Sequence, residues 1–298
     1  MEQLLSTEYI VSILLSGISL GGQLALIAIG YTMVYGILRL INFAHGDVFM
    51  VAGLVMVYAT ASLPIYVSVI LVIVVTVLLG VLIEKVAYKP LRSAPRMSVM
   101  ISAIGVSYLL QNLSTYVTGG LAQSYPNIPW LRTEIQIGSI TVRRLAILTP
   151  VLTILLVIAL VLLIKHTKMG MAMRAVAKDF DTAQLMGIRI DRIISFTFVI
   201  GSFLAAVGSI LYFSYIGQVS PTIGAMPGLK SFVAAVFGGI GSVPGAVIGS
   251  YIIGICETFI KSNQDISIFS NAFTFALLII ILLIKPNGLF GEKLKEKV

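Results

Sequence analysis

Apolar runs, most of about 20 residues, recur along the whole chain, and a run of that length can cross a hydrocarbon core of roughly 30 Å. Lipid offers the backbone no hydrogen-bond partners, so such runs must close their own bonds, and long apolar ones do so as helices. The runs fall at 9–38, 42–60, 63–84, 97–118, 146–164, 193–216, 228–241, 243–260 and 270–284. The run at 228–241 is short and 42–60 opens on polar residues, so both are expected as half-helices or re-entrant pieces. The expected fold is all-α: one polytopic transmembrane bundle spanning 1–298, with eight or nine crossings and a charged loop at 165–192.

Charged residues make up only 11% of the 298 residues, against about 25% in a soluble domain. The net charge of +8 sits between the apolar runs, which reads as a topology signal and not as a nucleic-acid surface. Arg39, Lys85, Lys89, Arg92, Arg96, Lys165, Lys168, Arg174, Lys178, Arg189, Arg192, Lys285, Lys293, Lys295 and Lys297 would share one side. Arg132, Arg143, Arg144, Lys230 and Lys261 would share the other. The bias places the C-terminus and 165–192 in the cytoplasm and the N-terminus outside. The N-terminal MEQLLSTEYI lacks the basic leader of a signal peptide, so the first run is expected to stay as a span. The loop 119–145 becomes the main external segment, with Trp130 as an interfacial anchor.

Small residues mark where helices approach closely. Gly17 and Gly21, and Gly241, Gly245 and Gly249, recur at a spacing of four, the device by which helices associate in lipid without a hydrophobic gain. The stretch FGGIGSVPGAVIG, with Gly238, Gly239, Gly241 and Pro244, interrupts apolar sequence, because proline lacks an N–H and clashes in a helix interior. Irregular backbone at membrane depth is tolerated in protein or beside a water-filled cavity, and broken helices often border a transport path. Asn42, His45 and Asp47 enter an apolar run at its basic end and are path or gate candidates. Their alternative roles are structural: a first-turn acid for Asp47 and a satisfied buried imidazole for His45. Glu84, beside Lys85, is expected at the interface, and Glu257 is spaced for an i,i+4 ion pair with Lys261; a proton relay at Glu257 is the rival role.

No catalytic or metal-ligating constellation is present: HExxH, GxSxG and a GxxxxGK[ST] phosphate loop are all missing. The single cysteine, Cys256, lies in an apolar run and reads as a small core residue. The chain is therefore expected to bind no cofactor and to hydrolyse no nucleotide itself.

The charged stretch MRAVAKDFDTAQLMGIRIDR (173–192) contains one short helix, expected over Thr182–Met186 with Asp181 as its N-cap. Gly187 is placed to end it in a left-handed conformation. A helix this short needs packing to persist, and Ala183, Leu185 and Met186 offer a surface for a protein partner or for the bilayer.

Within that stretch, DTAQLMG resembles the EAAxxxG signature of ABC-importer permeases, with Asp181 and Thr182 departing from Glu and Ala. The segments ALIAIGYTMVYGILRLINFAHGDVFM, EKVAYKPLR, ISAIGVSYLLQN, RAVAKDFDTAQLMGI and GLKSFVAAVFGGIGSVPGAVIG, in this order, closely resemble the branched-chain amino-acid permeases of the LivH type. The resemblance implies one of two related membrane subunits of a bacterial importer in the cytoplasmic membrane. It also implies two cytoplasmic ATPases carrying ATP and Mg, and an extracytoplasmic binding protein that delivers leucine, isoleucine or valine. It further implies that the short helix docks on an ATPase, with Asp181 capping, Thr182 beside it, Ala183 allowing close approach and Gly187 turning the chain back. Arg174, Lys178 and Arg189 would orient it. Competing readings are a related permease for urea, short amides or simple sugars, an ion-coupled carrier working alone through Asp47 and Glu257, or a membrane scaffold.

Overall fold

The computed structural model describes residues 7–92, 94–137 and 140–291. Its α-helices are α1 (Thr7–Leu38), α2 (His45–Thr60), α3 (Ile65–Ile83), α4 (Arg96–Thr118), α5 (Pro129–Arg132), α6 (Arg144–His166), α7 (Lys168–Lys178), α8 (Phe180–Leu185), α9 (Ile190–Ile216), α10 (Ala225–Gly238), α11 (Val243–Ser262) and α12 (Ser270–Ile284). A π-helical turn, Glu84–Tyr88, and a 3-10 turn, Lys89–Leu91, extend α3. Two short antiparallel pairs complete it: β1 (Gln123–Ser124) with β4 (Gln218–Val219), and β2 (Glu134–Ile137) with β3 (Ile140–Arg143). Among the described residues, seven helices are long and apolar enough to cross a membrane, while α2 and α10 are shorter. The two short pieces are those expected from 42–60 and 228–241.

The bundle is built on α1 and α9, which run antiparallel through its middle. Gly30 of α1 meets Gly201 of α9, and Leu26 meets Gly208. Around them the helices repeat one packing pattern in opposite orientation. α1 lies on α11 as α9 lies on α3; α2 lies on α9 as α10 lies on α1; α2 packs on α3 as α10 packs on α11. Thus α1–α4 and α9–α12 form an inverted repeat, an arrangement common in transporters. The outer surface of the bundle is apolar, carried by exposed residues such as Ile70, Leu78, Ile101, Tyr108, Leu155 and Leu283.

Each repeat contains one of the short helices. His45 at the start of α2 lies against Gly30, eight residues before the end of α1, or about 12 Å inside at about 1.5 Å per residue. The segment 39–44 therefore re-enters the bundle, turning through Arg39 at φ 53°. The N-terminal ends of α2 and α10 abut: a Cβ on Gly46 would sit 2.6 Å from the Gly224 carbonyl oxygen and 2.9 Å from Gly228 Cα. Only glycine permits this approach.

Close packing elsewhere follows the glycines partly as expected. A Cβ on Gly17 would come within 2.8 Å of Ile255 Cα, and one on Gly21 within 2.7 Å of Tyr251 Cα, so both seat α1 on α11. Gly245 and Gly249 do the same between α11 and α10, against Gly238. Gly241 does not belong to that face. It has φ 98°, and no neighbouring atom lies within 4 Å of where a Cβ would stand, because it makes the turn between α10 and α11. Pro244 stands in the first turn of α11, behind a Ser242 cap whose Oγ accepts the Gly245 N–H at 3.2 Å. Its missing N–H is one the helix would leave unpaired there anyway.

Charge sorts to two ends. At one end Arg39 donates to the Ala177 carbonyl (3.2 Å) and Lys89 pairs with Asp191 (2.8 Å). At the other, the Tyr9 hydroxyl donates to the Ser262 carbonyl (3.1 Å) and β1 pairs with β4. Lys293, Lys295 and Lys297 lie outside the described residues. Lys230 corrects its sequence assignment: it is no loop cation but a buried residue of α10. Glu84, at the end of α3, is fully buried within the protein.

Candidate functional site

The charged stretch folds as two helices and not one. α7 starts at a Thr167 cap, whose Oγ1 accepts the Gly170 N–H at 3.0 Å, and buries Met173 and Val176. The chain then turns at Asp179 into α8, two residues earlier than the sequence suggested. Asp179, not Asp181, is the N-cap: its Oδ1 accepts the Thr182 N–H at 3.0 Å. Asp181 is an exposed first-turn acid, favourably placed on the helix dipole. At the other end Gly187 adopts φ 81°. The Ile188 N–H reaches the Ala183 carbonyl and the Gly187 N–H reaches the Gln184 carbonyl, at 3.1 and 3.0 Å, the double closure of a Schellman motif.

Caps at both ends make this six-residue helix a defined object, and its faces differ. Ala183 is buried and packs with the cluster of Met173, Val176 and Ile190. Its small side chain lets α8 approach this chain's own bundle, so it is not part of an outward contact surface. Leu185 and Met186 are 87% and 79% exposed. Lys178, Asp181, Thr182, Gly187 and Arg189 are also exposed, as is Arg174, whose guanidinium donates to the Lys165 carbonyl at 3.3 Å. The tip therefore presents two apolar side chains in a charged rim.

α8 is tied to the transmembrane part through the start of α9. Asp191, in the first turn of α9, pairs with Lys89 and Arg92. Arg92 also pairs with buried Glu84, whose Oε2 accepts from the Ser195 hydroxyl at 2.8 Å. The π-helical turn at Glu84–Tyr88 places these groups at the end of α3. None of Arg92, Asp191 or Ser195 was marked by the sequence as a set, since their partners are about 100 residues apart.

The polar cluster at the start of α2 lies inside the bundle. Asn42 accepts from the Tyr88 hydroxyl at 2.8 Å, and Asp47 accepts from Ser107 Oγ at 2.5 Å and Gln111 Nε2 at 3.0 Å. His45 stacks edge-on to Tyr31 with centroids 5.0 Å apart, in the space left by Gly30 and Gly201. Asn42 and Asp47 thus tie the start of α2 to the π-helical turn after α3 and to α4. Replacing Asp47 with Ala is expected to lower stability by about 1–2 kcal/mol, because two partly buried donors lose their acceptor. Asp47→Asn, which keeps one acceptor oxygen, should lose less. Thermal unfolding of the purified protein in detergent checks both.

The expected Glu257–Lys261 pair forms, at 2.5 Å, and Lys230 joins the same carboxylate oxygen at 2.5 Å. Lys230 was missed as a partner; the signal available was a lysine inside an apolar run, which in lipid requires an acid nearby. Each repeat therefore encloses one glutamate with basic partners, Glu84 in the first and Glu257 in the second. Outside the spans, Tyr125 is buried against Phe213, and burial pushes its phenol above the ordinary range. Trp130 is exposed, with the Arg144 guanidinium 5.8 Å from its ring centroid. Among the described residues, no group of His, Cys, Asp or Glu could hold a metal ion.

Residues 13–282 match the family model described as branched-chain amino acid transport system / permease component. The high-affinity branched-chain amino acid transport system permease protein LivH of Salmonella typhimurium is 40% identical, covering 97% of this chain and 98% of the relative. BraD of Pseudomonas aeruginosa, named for the same transport, is 38% identical over 96% and 97%. The ribose import permease protein RbsC of Haemophilus influenzae is 26% identical over 91% and 83%. Among solved structures, PsaBC from Streptococcus pneumoniae in complex with Fab shares the fold at TM-score 0.50 and 12% identity, covering 96% of this chain and 95% of that one. An inverted-repeat bundle with two short helices, a capped helix at its basic end and similarity through nearly the whole length place the chain in the family of branched-chain amino-acid transport permeases.

Proposed function

We propose that this chain carries leucine, isoleucine and valine across the bacterial cytoplasmic membrane as one permease subunit of an ATP-driven importer. Its partners are a second, related permease, two cytoplasmic ATPases that hold ATP and Mg, and an extracytoplasmic binding protein. The N-terminus lies outside and the C-terminus inside, and 165–192 is the coupling loop. The observation that carries this reading is α8: a helix capped at both ends, on the basic side, presenting Leu185 and Met186 to water. Exposed apolar side chains on a rigid, charged-rimmed tip suit a protein groove, here a cleft in an ATPase subunit. The ties from Asp191 to Lys89 and Arg92, and from Arg92 to Glu84, give movement of α8 a direct route to α3 and α9.

The substrate class rests on the relatives' names, with 40% identity to LivH against 26% to RbsC. Two measurements test the proposal. The chain should co-purify with two ATPase subunits and a second permease. Uptake of labelled leucine should be suppressed by isoleucine and valine but not by urea or ribose, and should persist under a protonophore while ATP is maintained. Recovery of the chain alone, or uptake that collapses with the proton gradient, would instead identify a free-standing carrier.

A further inference from the structure

Lys230 and Glu257 form a pair inside the bundle that neither the packing of the repeat nor the coupling helix requires. Lys230 stands in α10 with its side chain 10% exposed, and Glu257 in α11 is 2% exposed. Lys261, one turn further, bonds to the same Oε1. Two ammonium groups thus share one carboxylate oxygen, leaving a net charge of +1. Each ammonium has three donors, and Glu257 engages one from each.

These three side chains line a cavity of ≈ 390 Å³ between α1, the end of α9, α10 and α11. That volume lies within the roughly 300–1,000 Å³ typical of small-molecule sites. Its remaining wall is mixed: Ser16 and Tyr212 bring hydroxyls, and Leu20 and Leu24 of α1 bring an aliphatic face. A residual positive charge beside hydroxyls and branched aliphatic carbon matches a small zwitterion with an apolar side chain. Its carboxylate would take the spare donors of the lysines, its ammonium the hydroxyl oxygens, and its side chain the leucine wall. An inorganic anion would leave that wall unused.

We propose that this cavity is a binding station for the α-carboxylate of an aliphatic amino acid on its way through the permease, with Lys230 as the anion contact. The proposal rests on the amino-acid substrate reading above. It deepens that reading by naming where the permease itself holds the substrate, as distinct from the binding protein.

The test uses the whole importer, with its binding protein, reconstituted in phosphatidylcholine vesicles with and without phosphatidylglycerol. Lys230→Met leaves Glu257 paired with Lys261, so no carboxylate is stranded. This variant is expected to lower the maximal rate of leucine uptake by about tenfold, the scale of one lost charge-assisted contact. Binding-protein-stimulated ATP hydrolysis should stay near the wild-type rate in both lipids, and Lys230→Arg should recover most of the uptake. Wild-type uptake in Lys230→Met would overturn the proposal. Equal loss of uptake and ATP hydrolysis would also overturn it, by making Lys230 a structural residue. A defect present only with phosphatidylglycerol would do so too, by assigning the cavity to a lipid headgroup. A wild-type complex that moves no leucine is a separate outcome: it overturns the substrate reading, and this one with it, before any substitution is made.

Discussion

Leu185→Glu and Met186→Glu together are expected to abolish uptake while the permease still accumulates in the membrane. Both side chains are exposed in this chain, at 87% and 79%, so charging them removes nothing from its own core. In the proposed assembly they are buried, and burying one large apolar side chain contributes about 1.5–3 kcal/mol. Losing two such contacts should weaken ATPase association at least about 100-fold. Pull-down of the ATPases on the tagged permease, together with leucine uptake, measures this. Undiminished ATPase recovery and uptake would remove α8 as the docking element. Ala183→Glu makes the contrast, since Ala183 is buried with Met173, Val176 and Ile190. A carboxylate there is unpaired in a packed interior, so that variant should fail to accumulate.

Gly46→Leu and Gly228→Leu are expected to be as damaging, by another route. These residues hold α2 and α10 together at their N-terminal ends. A Cβ at either one meets backbone of the facing segment, at 2.6 Å for Gly46 and 2.8 Å for Gly228. Backbone cannot swing aside as a side chain does, so the two short helices must separate. The expected destabilisation is about 3 kcal/mol or more, at the upper end of overpacking effects. Gly105→Ala supplies the control: no atom lies within 4 Å of a Cβ there, and alanine is favoured over glycine in a helix by about 1 kcal/mol. Thermal unfolding of purified variants in detergent, read by size-exclusion recovery, separates the cases. Equal midpoints for Gly46→Leu and the wild type would show that the abutting helix ends are not needed to hold the bundle.

The fold was legible where lipid imposes a simple rule. Apolar runs reported nearly every long helix, and polar openings or short length marked α2 and α10, which are the shorter apolar helices. The glycine pair Gly17 and Gly21 was legible for the same reason, since close approach is the main route to helix association without a solvent drive. The site was less legible. Asp181 looked like a cap because local sequence fits it as well as Asp179, and only the turn out of α7 decides which residue leaves the helical conformation first. Glu84 was legible as a charge beside Lys85, but its partners Arg92 and Ser195 were not, since Ser195 lies 111 residues away.

From the amino-acid sequence alone came the class of solvent, the helical bundle, the two short pieces and a short helix within the charged segment 173–192. Those depend on local composition and on spacing within a few residues. Tertiary structure decided the rest: the inverted repeat, the meeting of Gly46 with Gly224 and Gly228, the inward turn of Ala183, and the joining of Lys230 to Glu257 across 27 positions. Each depends on which distant side chains share a small volume, and a linear pattern carries no record of that distance.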